Sequence, residues 1–115
     1  MDIRLVVLRT GDPQGLADFY SLLGLTFDYH RHGGSPHHYV APIGQAILEI
    51  YPLTKKQVGA DTSLRLGFGI ENFDQILEKL RQHSVTLLAE PAQTDFGFMA
   101  VVADPDGRKI ELYSQ

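Results

Sequence analysis

Two glutamates stand in matching local settings within this 115-residue chain. Glu49 lies in the segment 46–51 and Glu111 in the segment 109–113, and each is followed by an aliphatic residue and then a tyrosine. The aliphatic residues on either side of each glutamate alternate with it, which is the pattern of a strand with one buried face. The carboxylate then points to the opposite face, where it can act as a general base. Glu49 and Glu111 are therefore the candidate catalytic residues.

Histidine is the second residue type with possible chemistry. His30, His32, His37 and His38 surround a glycine-rich hairpin, and histidine clusters can bind metal ions. Because successive strand residues point to opposite faces, at most one of His37 and His38 can face a cavity. The alternative is that all four are solvated surface residues. His83, near the end of a predicted helix, is expected to interact with the C-terminus of that helix.

The composition excludes several classes of function. A net charge of −4 with interspersed acidic and basic residues argues against a nucleic-acid partner. The chain has no cysteine, which excludes disulfides, thiolate zinc sites and a cysteine nucleophile. There is no glycine-rich phosphate loop, no nucleophile elbow and no apolar run long enough to span a bilayer. We expect a cytoplasmic protein with no membrane partner.

The apolar pattern predicts the element order βαβββ twice, as two modules of an α+β fold. Asp12 followed by Pro13 is typical of a helix start, and Asn72 is predicted to begin the second helix with Gln75 in a capping-box position. Asp104 begins an Asp-Pro-Asp-Gly turn before the last strand. The predicted strands are 3–10, 25–30, 37–41 and 45–51 in the first module, and 64–70, 85–89, 96–103 and 109–113 in the second.

The two modules, about 1–51 and 64–115, are joined by a polar connector at about 52–63. Asp12 and Asn72 are 60 positions apart, which supports a duplication. One helix cannot cover both faces of its sheet, so we expect the two sheets to pair in a single domain, 1–115.

This pattern resembles the vicinal oxygen chelate superfamily, the group of glyoxalase I, bleomycin-resistance proteins and extradiol dioxygenases. The resemblance is carried by the two βαβββ modules, by the helix that follows Asp12 and ends before Gly24, and by the segment 104–112. It implies a cup-shaped, partly open mixed sheet that binds a small molecule in its concave cavity, and a homodimer.

The resemblance also implies four metal-ligand positions, which fall here on Leu5, Glu49, Arg65 and Glu111. Leucine has no ligand atom, and a charged guanidinium has no lone pair to give. We therefore expect no metal cofactor; if a divalent ion is present, Glu49 and Glu111 would be its ligands. Two carboxylates facing one cavity raise each other's pKa unless a cation lies between them, and Arg65 could be that cation.

Further ligand-binding residues are proposed from their type. Gly67 and Gly69 share a face with Arg65 and either leave room for a ligand or permit close packing. Aromatic walls suit a flat or amphipathic ligand, although each aromatic residue could equally belong to the core. The predicted ligand-binding residues are Arg65, Arg9, Tyr39, Tyr51, Phe96 and Phe98.

The sequence therefore predicts a protein that binds a small molecule without the family's metal. The alternative is a metal-dependent lyase, isomerase or dioxygenase in which Glu49 or Glu111 is a ligand or general base, with a nearby histidine such as His37 or His38 completing the site. A third possibility is a structural module whose cavity is filled by its own side chains.

Overall fold

The computed structural model describes all 115 residues and contains eight strands and two helices in the predicted α+β order. The chain divides into two compact units, Met1–Asp61 and Thr62–Gln115, here called the N-terminal and C-terminal modules. The boundary falls inside the predicted connector. The helices, Pro13–Leu22 (α1) and Phe73–Gln82 (α2), are displaced by 60 residues at both ends, which agrees with the predicted duplication.

Each module is a four-stranded mixed sheet with one helix, which confirms the predicted βαβββ order. The N-terminal sheet has the order β1-β4-β3-β2 and the C-terminal sheet β5-β8-β7-β6. The first strand of each module pairs in parallel with the last, and the other pairs are antiparallel. The strands are Leu5–Thr10 (β1), Asp28–His30 (β2), His38–Ile43 (β3), Ala46–Pro52 (β4), Leu66–Ile70 (β5), Leu87–Thr94 (β6), Gly97–Ala103 (β7) and Lys109–Ser114 (β8).

In each module the helix covers one face of the sheet, where the core lies. Helix α1 buries Leu16 and Tyr20 on the side of the sheet where Leu48 and Ile50 are also buried. Helix α2 buries Leu77 and its apolar neighbours in the same way in its own module. Because side chains alternate along a strand, Glu49 lies on the face that α1 leaves uncovered.

The two helices start differently. Asp12 accepts a hydrogen bond from the backbone N–H of Gly15 at 3.1 Å, which confirms the predicted cap of α1. Asn72 instead adopts a left-handed conformation with φ 56° and its side chain makes no capping bond. The capping-box prediction for α2 was wrong, because a capping side chain normally needs an extended backbone at this residue.

Strands β2 and β6 differ most from the predicted lengths. Strand β2 covers only residues 28–30, and β6 extends to Thr94 through Pro91, with register shifts against β7. Proline cannot donate to a ladder, and it is tolerated here because β6 is an edge strand. No helix of the structure is long and apolar enough to cross a membrane.

A buried ion cluster holds the turn before β8. Arg108 is 1% exposed, and its Nη1 donates to Asp104 at 3.1 Å and to Asp106 at 2.7 Å. Asp104 also accepts the backbone N–H groups of Asp106 at 2.9 Å and of Arg108 at 3.0 Å. The sequence pattern predicted the turn but not the burial of these charges.

Arg108→Met should lower the free energy of unfolding by about 3–5 kcal/mol, because it leaves a buried carboxylate without its cation. The matched control is Arg81→Met, which removes a half-exposed arginine whose ion pairs with Glu78 and Glu90 lie on the surface. That variant should lose at most about 1 kcal/mol. Urea denaturation measures both, and equal losses in the two variants would contradict the importance of the buried cluster.

Candidate functional site

Strand β8 places two polar side chains on the uncovered face of the C-terminal sheet. Ile110 and Leu112 are fully buried on the helix side, so Glu111 and Tyr113 point the other way. In the parallel ladder with β5, Gly67 lies opposite Glu111. This agrees with the alternation predicted from the sequence.

Both oxygens of Glu111 are occupied by side chains of its own module. The hydroxyl of Tyr113 donates to Oε1 at 2.5 Å. Nη2 of Arg65, the residue before β5, donates to Oε2 in a short charge-assisted hydrogen bond. The sequence predicted a cation beside this carboxylate, but the tyrosine was not predicted as a partner.

These bonds set the ionisation of the site. The hydrogen bond from Tyr113, joined by that from Arg65, holds the pKa of Glu111 below its usual value, against the effect of burial. The same bond to Glu111 raises the pKa of the Tyr113 hydroxyl. A carboxylate with a depressed pKa is a weak base near neutral pH, so this arrangement suits orientation of Arg65 better than proton abstraction.

Gly67 leaves room for the ring of Tyr113, and Gly97 lies at ordinary contact distance from the same ring. A Cβ added to Gly67 would lie 3.3 Å from Cε2 of Tyr113, and one added to Gly97 would lie 3.7 Å from Cδ1 of the same ring. A Cβ on Gly69 would collide with the side chain of Gln115. The space above Gly67 and Gly69, which the sequence suggested for a ligand, is thus partly filled by the module's own side chains.

The N-terminal module uses its glutamate differently. Val7 lies opposite Glu49, in the place that Gly67 has in the other module. Glu49 Oε2 lies 3.6 Å from Nε2 of His38. The ring of Tyr51 stacks on His38 with 4.1 Å between centroids, and the guanidinium of Arg9 lies 4.9 Å from the centroid of Tyr51.

Three histidines converge beside this glutamate. His38 is fully buried, and its ring centroid lies 5.2 Å from those of His30 and His32. His37 instead stacks on Tyr29, so His38 is the one of the pair that shares a face with Glu49. The alternative that all four histidines are solvated does not hold for His38.

The other predicted residues lie elsewhere. Tyr39 pairs with the buried Ile50, and Phe98 packs against Phe73 of α2, so both lie on helix-covered faces, opposite the glutamates. Side chains alternate along a strand, and each of these two residues is an even number of positions from core residues of its own strand, so it points to the same face as they do. Phe96 lies in the β6–β7 turn and is 84% exposed.

Among the six predicted ligand-binding residues, Arg9, Tyr51 and Arg65 share a face with the glutamate of their module. His83 accords with its prediction, since its Nδ1–H donates to the carbonyl of Lys79 in the last turn of α2 at 2.9 Å.

The four positions that the resemblance implies for a metal do not supply a suitable ligand set. Leu5 has no ligand atom, and Arg65 carries a guanidinium that already binds Glu111. Glu111 has both oxygens engaged. Glu49 is the one residue of the four with a carboxylate oxygen still available. The donor nearest to its Oε2 is Nε2 of His38, 3.6 Å away.

Comparisons with known proteins agree with the resemblance. The sequence profile of the Glyoxalase/Bleomycin resistance protein/Dioxygenase superfamily matches residues 3–112. Lactoylglutathione lyases of Escherichia coli O157:H7 and Shigella flexneri are each 29% identical over 121 residues, covering 95% of this chain and 89% of theirs.

Solved structures share the fold at lower identity. TnmS3, an antibiotic binding protein from Streptomyces sp. CB03234, has a TM-score of 0.79 at 23% identity, covering 99% of this chain and 95% of its own. Oxidase ChaP-H2 has a TM-score of 0.78 at 20% identity, covering 100% and 94%.

The ionisation of Glu111 can be tested directly. Tyr113→Phe and Arg65→Met should each raise its pKa, because the bond from Tyr113 and the bond and charge of Arg65 all lower it. A carbon-detected NMR titration of the carboxyl group measures this. An unchanged pKa in Tyr113→Phe would contradict the observed hydrogen bond.

The same depression has a consequence for stability. A carboxylate with a lowered folded-state pKa adds stability above its unfolded-state pKa, and this is lost as pH falls through the folded value. The free energy of unfolding of Tyr113→Phe should therefore be lower than that of wild type at neutral pH, and the difference should shrink below about pH 4.5.

Proposed function

Because this chain belongs to the glyoxalase/bleomycin resistance protein/dioxygenase superfamily, we propose that it binds a small anion without the family's metal. Arg65 is the main contact in this proposal. The observation that carries it is the arrangement of Arg65: one N–H group is fixed on Glu111, while the side chain remains 54% exposed. The remaining donors of the planar guanidinium can then receive a ligand carboxylate, sulfonate or phosphate.

The surroundings of Arg65 support binding rather than catalysis. Glu111 holds the guanidinium in place, and Tyr113 holds Glu111. A ligand-binding group fixed in advance loses less entropy on association. The structural likeness to the antibiotic binding protein TnmS3 is consistent with this role. The concave cavity and the cytoplasmic location expected from the sequence remain predictions.

The competing proposal is an enzyme of the same superfamily, a metal-dependent lyase, isomerase or dioxygenase that uses Glu49 or Glu111. The 29% sequence identity to two lactoylglutathione lyases favours this proposal. Leu5 and Arg65 argue against an enzyme of this kind, because neither side chain can coordinate a metal. Lactoylglutathione formation that depends on added Ni²⁺ or Zn²⁺ and disappears in Glu49→Gln and Glu111→Gln would favour the enzyme. We expect no such turnover.

Binding of the fluorescent aromatic sulfonate 1-anilinonaphthalene-8-sulfonate tests the proposed site. We expect saturable binding at one site per chain, and Arg65→Met should weaken it about tenfold or more, since a hydrogen bond to a charged group contributes about 1.5–3 kcal/mol. Fluorescence titration gives the dissociation constants. Compounds that displace the probe then identify the class of natural ligand.

The matched control for this titration is Arg81→Met. Arg81 has the same 54% side-chain exposure and also pairs with glutamates, but it lies on α2. Its loss should leave probe binding unchanged. Equal weakening in both variants, or equal binding by wild type and Arg65→Met, would contradict the proposed site. Cooperative urea unfolding of each variant checks that the probe reports a folded protein.

The homodimer implied by the family also remains a prediction. Sedimentation at micromolar concentration should show a species of twice 12.8 kDa. Such an assembly would be expected to have two-fold symmetry with a self-complementary interface. A single 12.8 kDa species at all concentrations would contradict it.

A further inference from the structure

The N-terminal module brings three imidazoles to one face of its sheet. His30, at the end of β2, lies directly opposite His38 on β3. His32 lies just beyond the end of β2, with its ring centroid 4.5 Å from that of His30. A turn holds His32 there: its N–H donates to Ser35 Oγ at 3.0 Å, and its carbonyl accepts the N–H of Ser35 at 2.9 Å. Adjacent strands and a tight turn thus converge on one point.

The spacing of these rings suits a metal ion. One nitrogen from each of the three histidines lies within 4.8 Å of the others. Ring centroids are 4.5 Å apart for His30 and His32, and 5.2 Å for each of the pairs with His38. Three imidazoles bound tetrahedrally with Zn–N distances of about 2.0–2.1 Å have centroids about 5 Å apart. Rotation of the rings, above all that of the exposed His32, is enough to bring the nitrogens together.

His38 is prepared as a ligand by its other ring nitrogen. Nδ1–H donates to the carbonyl of Pro36 at 3.0 Å, and a carbonyl can only accept. In the neutral imidazole the lone pair is then on Nε2. Metal-binding histidines are held in this way, with the second nitrogen donating to a carbonyl or carboxylate that fixes ring and tautomer.

Glu49 supplies a negative charge at the same point. Its Oε2 lies 3.6 Å from Nε2 of His38, and its side chain is only 15% exposed. The Tyr51 hydroxyl lies 3.3 Å from the same nitrogen. A cation between Nε2 and the carboxylate would compensate this largely buried charge.

We propose that His30, His32, His38 and Glu49 bind one Zn²⁺-class divalent transition-metal ion. Three imidazoles with a carboxylate favour Zn²⁺, Co²⁺, Ni²⁺ or Cu²⁺ over Mg²⁺ and Ca²⁺, which prefer oxygen ligands. This site lies within one module and shares only Glu49 with the four positions implied by the family. It is independent of the anion site at Arg65, so either proposal can fail alone.

Metal titration of untagged, chelator-stripped protein tests the site. Competition with a chromophoric chelator should show one equivalent of Zn²⁺ per chain, not displaced by millimolar Mg²⁺. Co²⁺ should give the visible bands of a four-coordinate ion. His30→Gln and His32→Gln should each weaken Zn²⁺ binding at least about a hundredfold, because loss of outer-shell partners alone costs up to that factor. Both variants change side chains that are not buried, so the fold should persist.

His37→Gln is the matched control, since His37 lies in the same segment but stacks on Tyr29. It should bind Zn²⁺ as wild type does. Glu49→Gln should weaken binding about tenfold or more and change the Co²⁺ spectrum. Affinity should fall as the pH is lowered, because protons compete with the metal for its ligands. Equal affinity in His30→Gln, His37→Gln and wild type, or no stoichiometric binding, would overturn the proposal.

Discussion

The carboxylate of Glu111 lies on a sheet face that its module's helix does not cover, and the hydrogen bonds to its two oxygens determine what this face can do. Tyr113 donates to one oxygen and Arg65 to the other. The ring of Tyr113 lies close over Gly67, where an added Cβ would be 3.3 Å from it, so the glycine leaves room for the tyrosine to reach the carboxylate along its own strand. Because Arg65 and Tyr113 already occupy both oxygens, a metal ion is disfavoured at Glu111, and the lowered pKa makes this carboxylate a weak base. The guanidinium of Arg65, which Glu111 orients, remains available to contact a ligand.

The two modules share a backbone plan but differ in chemistry at equivalent places. Where the C-terminal module has Gly67 opposite its glutamate, the N-terminal module has Val7. Tyr51 there stacks on a buried histidine instead of donating to the glutamate on its own strand. Glu49 faces an imidazole, and two more histidines lie beside it. A duplicated frame can therefore carry an anion-binding group in one module and a metal-binding group in the other.

Local patterns were sufficient to predict much of the fold. The alternation around Glu49 and Glu111, the Asp12 cap and the turn at Asp104 all depend on residues near in sequence, and the structure has each of them. The family resemblance added the four expected metal-ligand positions, two of which are occupied here by Leu5 and Arg65.

Features that depend on distant contacts were not predicted. The burial of Arg108 requires two carboxylates and a covering core, which composition does not reveal. The extension of β6 through Pro91 depends on its place at the sheet edge. The histidine cluster depends on the β2–β3 register, which sets His30 against His38. Alternation along a strand assigns Tyr39 and Phe98 to a face of the sheet only when the core residues of the same strands are already known.

Arg65 and Tyr113 together occupy a carboxylate that would otherwise be free to bind a metal. An anomalous-difference map from crystals grown with Zn²⁺, recorded on both sides of the zinc edge, shows whether Glu111 binds the ion. We expect no peak at Glu111, with the Arg65 and Tyr113 bonds intact, and one peak among His30, His32 and His38. A peak at Glu111 with Arg65 displaced would contradict it.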